Sequence, residues 1–170
     1  DHERVLLTLS RGGADAADIR EYDLPSRSFV EGGFVVPESK SSASWADADT
    51  LLVATTLGEG NATPSGYPRI VVRWSRGTDF AAAPVVFEGT MDDMAVYGIL
   101  DRTPGHERTI FRRQTTFDKG ETYLGGPPAV PVPLHVPLDP PATLPPRRLP
   151  PPTPPPWPSP RRRSPPAPPP

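Results

Sequence analysis

The 170-residue sequence contains no cysteine. Disulfide bonds, thiolate nucleophiles, cysteine-ligated zinc and iron–sulfur clusters are therefore excluded. No apolar run approaches the roughly 18 residues that a bilayer-spanning helix needs, and no basic segment followed by an apolar one opens the sequence. We therefore expect neither membrane insertion nor export, and a cytoplasmic location. The first residue is aspartate rather than methionine, as expected of a fragment or a processed chain.

Positive charge is scarce in the first 126 residues, which carry 13 Lys and Arg against 19 Asp and Glu. Phosphate binding depends on clustered cations, so this balance predicts that the protein does not bind nucleic acid. The last 44 residues reverse the balance with five Arg and one Asp, and they hold 22 of the 28 prolines. The change in composition predicts a folded region over residues 1–126 and a Pro/Arg-rich tail over residues 127–170.

The sequence also contains no convincing helix. The two candidate segments, "DAADI" and "DFAAAP", are too short to overcome the cost of helix nucleation. Apolar residues instead recur at every second position in short runs separated by Gly, Pro, Asp and Ser, which predicts β-strands. The clearest alternations are Val5, Leu7 and Leu9; Leu51 and Val53; and Ile70, Val72 and Trp74. Further strands are predicted in "IREYDL", "SFVEGGFVV", "VVFEG", "MAVYGIL", "RTIFRRQTTF" and "ETYL".

The spacing of these strands is typical of a sandwich, a barrel or a propeller, and the order of the hairpins favours a propeller. The adjacent Gly12 and Gly13 of "RGGAD" lead into the alternating "IREYDL" rather than into a helix, which predicts a hairpin bend and not a phosphate-binding loop. We therefore predict an all-β fold of antiparallel meanders that form about two blades of a partial β-propeller. A disordered Pro-rich tail is predicted to follow.

Several segments resemble a known family in the same order along the chain. From about Arg4 to Tyr123, "SRGGADA", "REYDL", "SWADADTLLV", "SGYPRIVVRW" and "VFEG" resemble the N-terminal β-propeller region of bacterial prolyl oligopeptidases, which are serine peptidases. The resemblance implies a seven-bladed propeller joined, in the same chain, to an α/β-hydrolase domain with a Ser, Asp and His triad. It also implies that the propeller restricts entry to short peptides, which the hydrolase domain cleaves, typically after proline.

The sequence lacks the nucleophile motif G-x-S-x-G of such hydrolases. In the nearest string, "TPSGYP", Gly66 follows Ser65 but no glycine lies two residues before it, so we predict a loop serine. The three histidines lie at the first residues (His2), in the turn "TPGHER" (His106) and in the tail (His135), which predicts surface positions. We therefore predict no catalytic, cofactor-binding or metal-binding residue and no cofactor.

Two acidic clusters and five aromatic residues receive structural interpretations. "DADT" (Asp47 to Thr50) and "MDD" (Asp92, Asp93) could supply metal ligands, but hard cations need about six converging oxygens and no EF-hand spacing occurs. We predict that these acids cap turns.

The aromatic residues that fall in strand patterns are predicted to form the core between blades. They are Trp45, Trp74, Phe87, Tyr97 and Phe111.

The tail from Pro127 leads to two interpretations. Proline fixes φ and has no N–H, so we predict polyproline II or disorder and no participation in a sheet. One interpretation is an interaction arm, because Arg148, Pro151 and Pro154 fit the R-x-x-P-x-x-P spacing that docks on Pro-motif-binding domains. The other is a GC-rich reading frame translated after a frameshift.

Two hypotheses about function follow. The first is the substrate-gating propeller part of a prolyl oligopeptidase-like serine peptidase, without its hydrolase domain and inactive alone. The alternative is a non-enzymatic β module with a Pro-rich protein-interaction arm. Isolated blades expose apolar faces and strand edges, so we also predict poor independent stability for residues 1–126.

Overall fold

The computed structural model describes residues 3–125 and 132–134, and these residues form an all-β fold. The strands are β1 (Arg4–Ser10), β2 (Ala17–Asp23), β3 (Ser28–Phe29), β4 (Val35–Ser39), β5 (Ser42–Asp47), β6 (Thr50–Thr55), β7 (Ile70–Ser75), β8 (Val85–Glu88), β9 (Ala95–Asp101), β10 (Arg108–Gln114), β11 (Gly120–Leu124) and β12 (Val132–Leu134). The described ranges contain no α-helix, and a 3₁₀ turn lies at Phe80–Ala82. Among the residues placed by the structure, no helix is long and apolar enough to cross a membrane. All strand pairs are antiparallel, which confirms the predicted fold class.

The first sheet contains β1 to β4 but is only three strands wide. β1 pairs with one edge of β2, while β3 and β4 share the other edge, β3 beside residues 22–23 and β4 beside residues 17–20. The prediction of one strand over "SFVEGGFVV" is therefore wrong. Gly32 has a φ of 65°, and the Gly33 N–H donates to the Val30 carbonyl at 3.1 Å, so residues 30–34 loop out of the ladder.

The second and third sheets are four-stranded meanders in the orders β5-β6-β7-β8 and β9-β10-β11-β12. There are thus three sheets rather than about two. The sequence "SASWAD" forms a separate strand, β5, before the Asp-rich bend. The third sheet extends beyond residue 126, because it includes β12. The prediction that the tail cannot join a sheet is wrong for β12, where Pro133 lies opposite Tyr123. In an edge strand only every second residue forms backbone hydrogen bonds with the neighbouring strand. A proline, which has no N–H, can therefore occupy a position whose N–H would point away from that strand.

The hairpin predicted at "RGGAD" is confirmed. Gly12 and Gly13 have φ values of 63° and 80° and connect β1 to β2, while the Ser10 Oγ donates to the Ala14 carbonyl at 2.7 Å. Positive φ is the conformation that glycine adopts at least cost, so these two glycines shape a turn. The chain enters a strand after them, and no helix N-terminus is available to bind a phosphate.

The second sheet is covered on both faces, and this stacking creates two separate cores. One face packs on the first sheet through Ile19, Phe34, Val36, Leu51, Val53, Ile70, Val72 and Trp74. The other face packs on the third sheet through Leu52, Ala54, Val71, Phe87, Val96 and Phe111. Successive residues of β6 thus point into different cores, which explains why all six are buried.

Four of the five predicted core aromatics lie in these cores. Trp74 is buried in the first core with Trp45 packed against it, and Phe87 and Phe111 stack in the second with ring centroids 4.9 Å apart. The prediction is wrong for Tyr97, which is half-buried and belongs to neither core. Its neighbours Val96 and Gly98 point toward the second sheet, so strand alternation turns the tyrosine to the opposite face.

Candidate functional site

The structure does not bring a serine and a histidine together as a catalytic pair within the described residues. Ser65 is exposed in a tight turn in which the Gly66 N–H donates to the Thr63 carbonyl at 2.8 Å. His106 is exposed in another turn, where its backbone N–H donates to the Thr103 carbonyl at 2.9 Å. Neither side chain takes part in any hydrogen bond found between described residues, and His2 and His135 lie outside them.

The acidic clusters cap turns, as predicted. The Asp47 carboxylate accepts the Asp49 N–H at 2.9 Å, and the Asp93 carboxylate accepts the Thr90 N–H at 2.6 Å and the Thr90 hydroxyl at 2.9 Å. Asp92 is exposed. Across residues 3–125 and 132–134, no group of three or more His, Asp or Glu side chains is arranged to hold a metal ion.

The most concentrated charge in the described structure surrounds Glu21, whose side chain is fully buried between the first and second sheets. Arg76 binds its carboxylate through both terminal nitrogens, at 2.7 and 3.1 Å. Arg4 donates to Oε1 at 3.1 Å, and the Phe34 backbone N–H donates to Oε2 at 3.0 Å. Each carboxylate oxygen is therefore satisfied, as a buried charge requires.

Arg76 also contacts the turn between β5 and β6 in the second sheet. Its Nε donates to Asp49 Oδ1 at 2.8 Å, and its guanidinium lies 4.5 Å from the centre of the Phe34 ring. Burial alone would raise the pKa of Glu21, but the hydrogen bonds from Arg76 and Phe34 and the charges of Arg76 and Arg4 outweigh it and lower the pKa. We call Glu21, Arg76, Arg4 and Asp49 the inter-sheet ion cluster.

The sequence interpretation missed this cluster, although the strand pattern contained a signal for it. In β2 the alternating residues Ala17, Ile19 and Glu21 share one face, and the first two are apolar and buried. A carboxylate in that series points into a core and must find a cation. The partner Arg76 lies 55 residues away, and pairing over such a separation depends on how the sheets stack.

A groove opens beside the ion cluster, where β1 meets β5 and the end of β9. One part has a volume of about 390 Å³ and is lined by mixed charges and Trp45. The adjoining part, of about 530 Å³, is bordered by Val5 and Leu6 on one side and by Ala43, Trp45 and Leu100 on the other. Arg4 and Arg102 line both parts, and Glu3, Asp47 and Asp49 also line the first part. That end of the groove therefore carries charges of both signs, while the adjoining part is mainly apolar.

The stacked antiparallel sheets resemble part of the solved prolyl endopeptidases. A solved post-proline cleaving enzyme from Rickettsia typhi matches 72% of this chain with a TM-score of 0.66 and 26% identity. A solved prolyl endopeptidase matches 78% with a TM-score of 0.62 and 17% identity, a likeness of fold alone.

Sequence comparison also finds relatives that are named as peptidases. The chain is 38% identical over 90 residues to Uncharacterized peptidase y4nA of Sinorhizobium fredii, and 30% identical over 93 residues to Uncharacterized peptidase RP174 of Rickettsia prowazekii. These matches cover 53% and 50% of this chain but only 12% and 13% of the relatives, and the solved enzymes are covered to 19% and 20%. No family model matches the chain. The predicted resemblance to the prolyl oligopeptidase family is confirmed by these relatives.

Proposed function

We propose that this chain provides part of the substrate-gating propeller of a prolyl endopeptidase-like serine peptidase and contributes no catalytic residue itself. The observation that carries the proposal is the stack of three antiparallel sheets, similar at 26% identity and a TM-score of 0.66 to a fifth of a post-proline cleaving enzyme. In such an enzyme the triad lies in a hydrolase domain, which corresponds to no element between residues 3 and 125.

The physical role proposed for these sheets is to wall off the substrate path. Sheets that pack around a central channel leave only short edges inside it. In the proposed role this channel admits short peptides and excludes large polypeptides. The covered faces of the second sheet provide the rigidity that such a wall needs. The substrate is a short proline-containing peptide, and the hydrolase domain supplied by the rest of such a protein cleaves it.

The proposal is tested with two proteins. The purified 170-residue chain is assayed with a chromogenic proline-containing dipeptide substrate and with a fluorophosphonate that labels activated serines. A chimera, in which residues 3–125 replace the matched part of the Rickettsia typhi enzyme, is assayed in parallel. We expect no turnover and no labelling of the chain alone, and cleavage after proline by the chimera.

Turnover by the isolated chain that disappears in Ser65→Ala would overturn the assignment, because the chain would then carry its own nucleophile. A chimera that folds and retains fluorophosphonate labelling but cleaves large unfolded proteins as fast as short peptides would overturn the gating role.

A further inference from the structure

The two interfaces between neighbouring sheets are held by different kinds of contact. Hydrogen bonds cross the interface between the third sheet and the second sheet with its β6–β7 loop at several levels along the strands. The pairs are the Val96 N–H with the Pro68 carbonyl (2.8 Å), the Ser44 Oγ with the Gly98 carbonyl (2.9 Å), the Thr63 Oγ1 with the Met94 carbonyl (2.9 Å) and Arg102 with the Trp45 carbonyl (3.2 Å). Directional bonds that are spread in this way fix both the distance and the angle between two sheets.

The interface between the first and second sheets consists mainly of the first core, whose apolar attraction has no preferred direction. Among the described residues, no backbone hydrogen bond joins residues 3–39 to residues 42–88. The side-chain hydrogen bonds that join these two ranges run from Arg76 to Glu21. Apolar packing resists the separation of two elements but permits small sliding between them.

The pair formed by Glu21 and Arg76 fixes what the apolar packing leaves free. Both terminal nitrogens of Arg76 donate to the Glu21 carboxylate, at 2.7 and 3.1 Å. The same guanidinium is anchored in the second sheet, because it donates to the Asp49 carboxylate at 2.8 Å and to the Ala48 carbonyl at 3.0 Å. Two parallel bonds between planar groups define an angle as well as a distance. The pair therefore sets the position of the first sheet on the second.

A short connection joins the same two sheets at the other end of their interface. Residues 40–41 lead from β4 to β5, and the Ser39 and Ser41 hydroxyl oxygens lie 2.8 Å apart, while the Ser41 Oγ donates to Thr55 Oγ1 at 2.9 Å. Ser39 lies opposite Ala17 in the ladder, and Glu21 lies four residues further along β2. At about 3.3 Å per residue, this places the connection about 13 Å from the ion pair along the strands.

We propose that the first sheet moves as a rigid body against the unit formed by the second and third sheets, and that the Glu21–Arg76 pair is a latch that fixes its position. Release of the latch lets the first sheet turn about the connection at residues 40–41, while the hydrogen bonds between the second and third sheets persist. The groove changes width in this movement, because β1 borders it on one side and β5 and β9 on the other.

The consequence for the peptidase rests on the proposed function. If the three sheets form part of the wall of a substrate path, the position of the first sheet sets the width of that path. The latch then limits the size of the peptides that reach the hydrolase domain. Glu21 and Arg76 are positioning residues in this scheme, since they act through the sheet and not on the substrate.

Nitroxide labels measure both interfaces in the full 170-residue chain, which has no cysteine of its own. Val35, Ser75 and Ile99 are exposed strand residues of the first, second and third sheets, and each is replaced by cysteine for labelling. Double electron–electron resonance then gives the 35–75 and 75–99 distances. Glu21→Gln should shift or broaden the 35–75 distance by about 1–2 Å, the scale on which packed elements slide, and leave the 75–99 distance unchanged.

Two further variants sharpen the comparison. Ser44→Ala is the matched control, because it removes one of several hydrogen bonds between the second and third sheets and should change neither distance. Asp49→Asn keeps the Glu21 carboxylate but weakens the hold of the second sheet on Arg76, so it should shift the 35–75 distance by a smaller amount. The Asp49 side chain is 75% exposed, so this variant decides the question should Glu21→Gln fail to fold.

The chimera with the Rickettsia typhi enzyme tests the consequence for substrate size. Fluorescein-labelled casein is the large unfolded substrate, and the chromogenic proline-containing dipeptide is the short one. Glu21→Gln in the chimera should raise the ratio of casein cleavage to dipeptide cleavage about fivefold or more and leave kcat/KM for the dipeptide unchanged. A purely structural role of Glu21 would instead lower both activities together.

Folded Glu21→Gln and Asp49→Asn chains in which neither distance changes, or in which both distances change equally, would overturn the latch. An unchanged ratio of casein to dipeptide cleavage, in a Glu21→Gln chimera whose 35–75 distance does shift, would refute its control of substrate size. A parent chimera that folds but does not cleave after proline would contradict the proposed function alone, because the label distances in the 170-residue chain decide separately whether the latch exists.

Discussion

Replacing Glu21 by glutamine tests whether the inter-sheet ion cluster holds the first and second sheets together. The substitution preserves the shape of the side chain and removes its charge. One carboxylate oxygen that accepts hydrogen bonds from Arg76 becomes an NH₂ group, which cannot accept them. Arg76 then keeps Asp49 as its partner, while Arg4 loses its carboxylate contact or retains a weaker one.

The magnitude follows from how much each partner is exposed. Removing one member of a fully buried ion pair costs about 3–5 kcal/mol. The side chains of Arg76 and Arg4 are 23% and 50% exposed, so water partly solvates them once Glu21 is neutral. We therefore expect Glu21→Gln to lower the free energy of unfolding by about 2–3 kcal/mol. Arg76→Gln should cost more, about 3–5 kcal/mol, because the buried Glu21 carboxylate keeps only Arg4, whose side chain is 50% exposed, as a charged partner.

Urea unfolding at neutral pH, followed by tryptophan fluorescence, measures these losses. A Trp157→Phe background restricts the signal to Trp45 and Trp74, which both pack in the first core. Glu38→Gln is the control, because Glu38 pairs with an 84% exposed Arg11 at 3.5 Å, and it should change stability by less than about 0.5 kcal/mol. A Glu21→Gln loss no larger than that of Glu38→Gln would refute the reasoning.

The pH dependence adds a second criterion. The pKa of Glu21 is lowered from its ordinary value of 4.5, so the folded state binds its proton less readily than the unfolded state does. Its stabilisation is therefore fully present above that ordinary value and is lost as the pH falls through the folded-state pKa. The difference between the parent and Glu21→Gln should shrink as the pH is lowered below 4.5 and through the folded-state pKa of Glu21. A difference that stayed constant would show that packing, not charge, had been lost.

Three further changes have defined outcomes. Gly98→Ala should lower the free energy of unfolding by about 1–3 kcal/mol, because its Cβ would lie 2.9 Å from Val71 Cγ1. Thermal unfolding measures the loss, and Ile99→Ala is the control because Ile99 is 51% exposed. Phe111→Ala should cost about 3–5 kcal/mol in urea unfolding, since this side chain is 0% exposed in the second core, and a cost below about 1 kcal/mol would contradict that packing. Ser65→Ala should leave stability and fluorophosphonate labelling unchanged, because the serine is exposed in a turn.

Alternation along single strands made much of the fold predictable. Ile70, Val72 and Trp74 lie on one face of β7 and enter the first core, while the intervening Val71 enters the second. A strand in the middle of a stack therefore carries apolar residues on both faces, and local pattern alone identifies it as a strand. What it cannot identify is which sheet covers each face, since that depends on contacts between distant segments.

The features that were mispredicted depend on pairing partners rather than on local pattern. The loop that separates β3 from β4 surrounds the backbone of Glu21, whose N–H and C=O groups bond to Phe34 and Val30 respectively. β12 contains a proline and forms only beside β11. The pattern of one segment therefore predicted a single strand where pairing with β2 produces β3 and β4. It also predicted no strand where pairing with β11 stabilises β12.

The segments that carry the family resemblance meet at the inter-sheet ion cluster. "REYDL" contains Glu21, "SWADADTLLV" contains Asp49, and Arg76 lies two residues after the end of "SGYPRIVVRW". These three residues are spread over 55 positions of sequence yet joined by hydrogen bonds of 2.7 to 3.1 Å. They share no arrangement suited to catalysis, because every carboxylate oxygen of Glu21 is occupied by a donor. The motifs that identify the family thus encode how two sheets join, which explains why a chain with no serine and histidine pair among its described residues still resembles a peptidase.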